Sequence, residues 1–139
     1  MALHQLRAKG KERTKDNPKR TAPLFIEVDG EKMKFRRPGL PDNYITDAEV
    51  LRVREKFPGQ PEEFYREAVI MGRCYLPSQD DMKVAEESGE KLDATLFLAE
   101  LALDAPMLFI GIKIPFMEAY KQAFNLSDAV DAEKNDSRQ

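Results

Sequence analysis

The residues best suited to acid–base chemistry are two pairs of neighbouring carboxylates, Asp80-Asp81 and Glu86-Glu87. A general acid and a general base need surroundings that separate their pKa values, and neighbours on a solvated helix lack the necessary desolvation. These carboxylates also lack the glycine-containing loop and the ligand periodicity of a calcium site. We therefore expect neither catalysis nor a metal site here. An enzyme that holds these four carboxylates in a buried cleft is the alternative, and their substitution without functional loss would exclude it.

Histidine and cysteine each occur once, as His4 and Cys74. Their scarcity argues against disulfides, Cys/His zinc sites and any nucleophilic dyad or triad with a histidine base. Arg73 could lower the pKa of Cys74 and make the thiol reactive, but cysteine usually behaves as a small hydrophobe, so we expect a half-buried helix residue. No glycine-rich phosphate loop follows a strand. We expect no bound cofactor and a function based on contact.

Basic residues are concentrated at the start of the chain. Residues 1–20 contain seven Lys/Arg against two acidic residues, giving +5, and since the whole chain is −3 the remainder carries −8. The absence of apolar spacing predicts a flexible basic arm over residues 1–22. The alternative is phosphate binding by this arm, although the acidic body would repel a nucleic acid. The residues concerned are Arg7, Lys9, Lys11, Arg13, Lys15, Lys19 and Arg20.

A β-hairpin should begin the folded part of the chain. Residues 24–28 and 31–35 flank Asp29-Gly30, a dipeptide suited to a two-residue type I′ turn. Pairing across this turn places Leu24, Ile26, Val28, Met33 and Phe35 on one face, and it pairs Glu27 with Lys32 on the other. Because an isolated hairpin is marginal in water, its apolar face must lie on helices.

Helical patterns follow the hairpin. Thr46 and Glu49 have capping-box spacing before the first of these helices, and Pro61 suits the first turn of a second, with Phe64, Ala68, Met71 and Tyr75 on one stripe. Ser78 and Asp81 could cap a short polar helix that ends near Glu87. The apolar pattern of residues 91–103 predicts the most buried helix, with one stripe formed by Leu92, Leu96, Ala99 and Leu103.

The segment 107–114 is apolar but ambiguous in type, and Pro115 should open a last helix whose inner side contains Phe116, Tyr120, Ala123 and Phe124. The fold class predicted is mainly α, with an N-terminal β-hairpin packed on a compact bundle of four to five helices. Residues 23–126 should form a single folded domain, and residues 127–139 a flexible charged tail.

The segment 106–117 is the best candidate for a binding surface, because Met and Phe side chains make adaptable apolar contacts of the kind that hold varied partner helices. A small domain needs most of its large apolar residues inside, so a core location is the favoured reading of the segment and an exposed surface is the alternative. The candidate partner-binding residues are Met107, Phe109, Ile112, Phe116, Met117 and Tyr120.

The layout resembles the tail assembly chaperones of long-tailed bacteriophages. The resemblance rests on a hairpin ending in Phe35-Arg36-Arg37-Pro38, a short helical array, the acidic step Leu76-Pro77-Ser78-Gln79-Asp80-Asp81 and the charged tail Ala132-Glu133-Lys134-Asn135-Asp136. Members of this family are small, acidic and mostly helical, and hold the tape-measure protein soluble while tail-tube subunits polymerise around it. Many also exist in a longer form made by ribosomal slippage, and Glu133-Lys134-Asn135 can be encoded by a slippery run.

The resemblance implies a chaperone that binds an apolar helical partner, with tape-measure and tail-tube proteins as partners and possible self-association. The basic arm departs from the family's usual pattern, which leaves open a small nucleic-acid-associated regulatory or structural phage protein. The chain starts without the apolar region of a secretory signal, and its longest apolar stretch is shorter than the roughly 20 residues that span a bilayer. We therefore expect a cytoplasmic protein that does not enter membranes.

Overall fold

The computed structural model describes residues 2–14 and 22–137 of the chain. Within this part, the helices are α1 (Leu3–Thr14), α2 (Asp47–Lys56), α3 (Glu62–Cys74), α4 (Gln79–Ser88), α5 (Ala94–Asp104) and α6 (Pro106–Ser137). The strands are β1 (Leu24–Val28), β2 (Glu31–Phe35) and β3 (Tyr75–Leu76), and a short 3₁₀ helix spans Leu40–Asn43. The predicted fold class, mainly α with an N-terminal hairpin, is confirmed.

The hairpin has the predicted register. Val28 pairs with Glu31, Ile26 with Met33 and Leu24 with Phe35, while Asp29 (φ 51°) and Gly30 (φ 81°) supply the two positive φ angles of the turn. The sequence reading missed the third strand, since Tyr75 and Leu76 pair antiparallel with β2 directly after α3. A two-residue strand is too short to show the alternation that identifies strands in a sequence. Its extended conformation is imposed by pairing with the neighbouring hairpin.

Side-chain caps begin α2 and α4 as the sequence predicts. The Thr46 hydroxyl accepts a hydrogen bond from the Glu49 amide, and the Ser78 hydroxyl accepts one from the Asp81 amide. Gly89, at φ 72°, ends α4 in the left-handed conformation that favours glycine. Although α4 is defined at both ends, none of its residues is buried.

The core consists of two neighbouring clusters. One joins the inner face of the sheet to α3, α5 and α6 through residues such as Phe35, Leu98 and Phe116. The other joins α2, α3 and α5, where Tyr65 is 1% exposed and its hydroxyl donates to the Phe57 carbonyl over 2.7 Å. The sequence analysis placed Phe64, and not Tyr65, on the inward-facing side of α3, but Phe64 is only half-buried.

The buried face of α5 also differs from its predicted stripe. Thr95, Leu98 and Ala99 are buried, whereas Leu92 and Leu103 are exposed. Because the sequence of α5 is apolar almost all round, its pattern does not define one inner face. The prediction that α5 is the most buried helix is therefore wrong, since α3 contains more buried residues.

The two ends of the chain form more helix than predicted. Residues 3–14 of the predicted arm are helical; their Leu, Ala, Gln, Lys and Arg residues favour helix without needing an amphipathic pattern. Near the C-terminus, one helix runs from Pro106 to Ser137, so the predicted helix start at Pro115 is wrong, and the predicted charged tail from residue 127 is helical as far as Ser137. Pro115 lies inside α6, where it removes a single backbone hydrogen bond.

Candidate functional site

The inner face of α6 is part of the core. Phe109, Ile112, Phe116 and Ala119 recur at intervals of three and four residues and are 8%, 1%, 0% and 7% exposed. The Phe116 ring lies 5.4 Å from the Phe35 ring, centroid to centroid. Phe109, Ile112 and Phe116 were predicted to contact a partner, but in the folded protein their side chains are enclosed in the core.

The opposite face of α6 is also apolar, and it is exposed. Met107, Ile110 and Ile114 are 77%, 39% and 61% exposed. Each lies two residues before or after an inward-facing residue, about 200° around the helix, so this outer strip points away from the core. We call these three residues the outer α6 strip. Only Met107 among them was predicted as a partner contact.

Two other predicted contact residues, Met117 and Tyr120, lie between the faces. Both are half-buried and pack against the edge of the core. The Tyr120 hydroxyl donates to the Asn43 side-chain oxygen over 2.9 Å, which connects α6 to the 3₁₀ helix. Their contacts hold α6 in place and leave only part of each side chain exposed.

Close contacts fix the orientation of α6. A Cβ atom on Gly111 would lie 2.8 Å from Val28 Cγ2, so the absence of a side chain lets α6 approach β1 closely. On α6, Lys113 Nζ lies 2.8 Å from Glu67 Oε2 of α3. These contacts hold the outer α6 strip toward solvent. Among the described helices, none is both long and apolar enough to cross a membrane.

A groove of about 390 Å³ separates α4 from α5 and reaches the sheet at Met33 and Tyr75. Its apolar wall includes Val84 of α4 and Phe97 of α5, whose side chains are 64% and 57% exposed. Its charged lining residues are Lys56, Asp81, Glu90, Lys91, Asp93 and Glu100. We call this the α4–α5 groove.

The four carboxylates considered for catalysis occupy different surroundings. Asp81 accepts hydrogen bonds from the Tyr75 hydroxyl and from the Ser78 amide. Burial raises the pKa of Asp81, but these hydrogen bonds outweigh it and the pKa lies below its ordinary value. Asp80, Glu86 and Glu87 are exposed. The arrangement gives Asp81 a structural role at the start of α4 and does not bring the four carboxylates into a buried cleft.

Cys74 is fully buried, deeper than the half-buried position expected for it. Burial raises the pKa of its thiol to about 12, so the thiol is protonated at neutral pH and is a poor nucleophile. Nearby, Asp42 is 3% exposed and accepts hydrogen bonds from both terminal nitrogens of Arg36, at 2.8 and 3.0 Å. In residues 2–14 and 22–137, no group of three or more His, Cys, Asp or Glu side chains could hold a metal ion.

The basic residues of α1 are spread around the helix. Arg7 and Lys11 are one turn apart on one side, and Lys9 lies on the other, with all three side chains exposed. This distribution does not form the single basic face that would follow a phosphate backbone. Of the remaining candidates for nucleic-acid binding, the Arg13 side chain and all of Lys15, Lys19 and Arg20 lie outside the described residues.

Comparisons of the chain with protein-family models, with curated proteins and with solved structures find no match.

Proposed function

We propose that this protein is a chaperone that binds an apolar helical segment of another protein along the outer α6 strip. In the form suggested by the resemblance to phage tail assembly chaperones, that partner is the tape-measure protein, which the chaperone keeps soluble while tail-tube subunits assemble. The proposed site uses contact alone and requires no cofactor.

The observation that supports this proposal is that the first part of α6, residues 106–117, is apolar on two opposite faces and only one of them is covered. A helix that is apolar all round is normally buried on all sides. Met107 and Ile114 are more than half exposed, which leaves apolar surface in water that a partner could cover.

The spacing of the strip favours a helical partner. Met107, Ile110 and Ile114 are separated by three and then four residues, the interval at which side chains of one helix fit between those of another. Helix-in-groove recognition uses anchors at this same interval. Methionine at one end adds a flexible side chain that adapts to different partner sequences.

The proposal is tested by co-expression with a helical fragment of a phage tape-measure protein. We expect the fragment to remain soluble in the presence of the chain and to aggregate without it. Because apolar docking is nearly independent of salt whereas phosphate neutralisation is not, a pull-down should recover the complex at both low and high ionic strength. A pull-down that shows no association at mild ionic strength would refute the proposal.

A further inference from the structure

We propose that two copies of the chain associate reciprocally, with α1 of each copy lying in the α4–α5 groove of the other. This inference is independent of the proposed function, since it uses neither the outer α6 strip nor any client protein.

Both helices lack the packing that normally stabilises a short helix. Residues 3–9 and 11–12 of α1 are all exposed, with Leu3 at 84% and Leu6 at 51%, and α4 has no buried residue. Helices of 12 and 10 residues are marginal in water when they pack against nothing. A common partner surface would therefore stabilise both.

Both surfaces contain exposed apolar side chains. Leu3 and Leu6 are three residues apart and so lie on one face of α1. The α4–α5 groove offers Val84 and Phe97, both more than half exposed, as apolar walls. Docking would remove these four side chains from water together.

The charges of α1 and of the groove are opposite. The α1 sequence contains four Lys/Arg and one Glu, for a net charge of +3. The groove lining contains four acidic residues against two basic ones, for a net charge of −2; they are Asp81, Glu90, Asp93, Glu100, Lys56 and Lys91. Opposite charges on two surfaces speed their encounter and select the correct partner. This complementarity identifies α1 as the occupant of the groove.

The second copy supplies the helix because the chain's own α1 does not line the groove in the structure. A reciprocal exchange uses the same two surfaces twice and closes into a two-fold dimer without leaving either surface free.

The test is a charge exchange between α1 and the α4–α5 groove. One variant contains Arg7→Glu and Lys9→Glu, so that its α1 and its groove are both acidic. The other contains Glu90→Lys and Glu100→Lys, so that both are basic. All four side chains are exposed.

Sedimentation equilibrium is measured for nuclease-treated protein at low ionic strength. We expect the wild-type chain to dimerise, each variant alone to have a dimer Kd raised by about tenfold or more, and an equimolar mixture to recover association near the wild-type level. Added salt should weaken all of these dimers.

Three results would overturn the proposal. The first is a wild-type chain that stays monomeric at all concentrations. The second is dimerisation of both single variants as tight as that of the wild type, which would place the interface elsewhere, and the third is a mixture that fails to restore association, which would indicate that α1 docks within its own chain. Retained client binding by both variants would leave the proposed function standing in each case.

Discussion

Replacing Phe116 with alanine is expected to lower the free energy of unfolding by about 3–5 kcal/mol, the range for truncating a large aromatic residue in a core. Phe116 is 0% exposed and its ring contacts Phe35 of β2, so the truncation would leave a cavity between α6 and the sheet. Since small domains have stabilities of only about 5–15 kcal/mol, this loss is a large fraction of the total. Urea denaturation followed by circular dichroism measures it.

Met107→Ala is the matched control for Phe116→Ala, since both residues lie on α6 and were predicted to contact a partner. Met107 is 77% exposed, and we expect its truncation to change the free energy of unfolding by less than about 0.5 kcal/mol. Equal losses for the two variants would contradict the assignment of one face of α6 to the core and the other to solvent.

Gly72→Ala is expected to destabilise the protein by roughly 1–3 kcal/mol, as overpacking in a tight core does. A Cβ atom at Gly72 would lie 2.1 Å from Thr95 Oγ1 and 2.6 Å from Thr95 Cα. Rotating the threonine side chain cannot relieve the second contact, so α3 and α5 must move apart. The expected loss remains after the gain of about 1 kcal/mol that alanine brings to a helix interior. Thermal and urea unfolding measure it.

Gly111→Ala provides the comparison. Its added Cβ would lie 2.8 Å from Val28 Cγ2, the end of a side chain, with no backbone atom among its contacts. Because a methyl group can shift more easily than a backbone, and the gain in helix propensity is the same, we expect a smaller loss than at Gly72. A Gly72→Ala variant as stable as Gly111→Ala would show that α3 and α5 are not locked at this crossing.

The sequence was sufficient to predict the elements with strong local chemistry. Asp29-Gly30 defined the turn and thereby the whole hairpin register. Thr46 and Ser78 marked the starts of α2 and α4 through side chains that accept from the first-turn amides. In each case the residues that interact are only a few positions apart in the sequence.

Elements set by contacts distant in sequence were not predictable in this way. Strand β3 exists because Tyr75 meets Phe35, some forty positions earlier in the chain. Pro115 lies inside α6 because core packing of Ile112 and Phe116 on either side of it outweighs the loss of one hydrogen bond. Neither outcome follows from local propensity.

The sequence located the apolar segment 106–117 but did not separate its buried side chains from its exposed ones. The segment 106–117 does include exposed apolar surface, yet Phe109 and Phe116 are buried while Ile110 and Ile114 are exposed. The prediction selected residues by chemical type, whereas the structure separates them by helix face. Treating the segment as helix from Pro106 onward would have grouped Met107, Ile110 and Ile114 on one face.

The most direct test of the proposed binding surface compares the affinity of the client fragment for Ile114→Lys and for Leu51→Lys. The two residues are 61% and 50% exposed on helices, and each new lysine lies four residues before a glutamate, Glu118 or Glu55. Isothermal titration calorimetry gives the Kd. We predict that Ile114→Lys raises the Kd by about tenfold or more, as loss of an anchor residue does, and that Leu51→Lys leaves it within about twofold. Equal affinities for the two variants would contradict a binding site on the outer α6 strip.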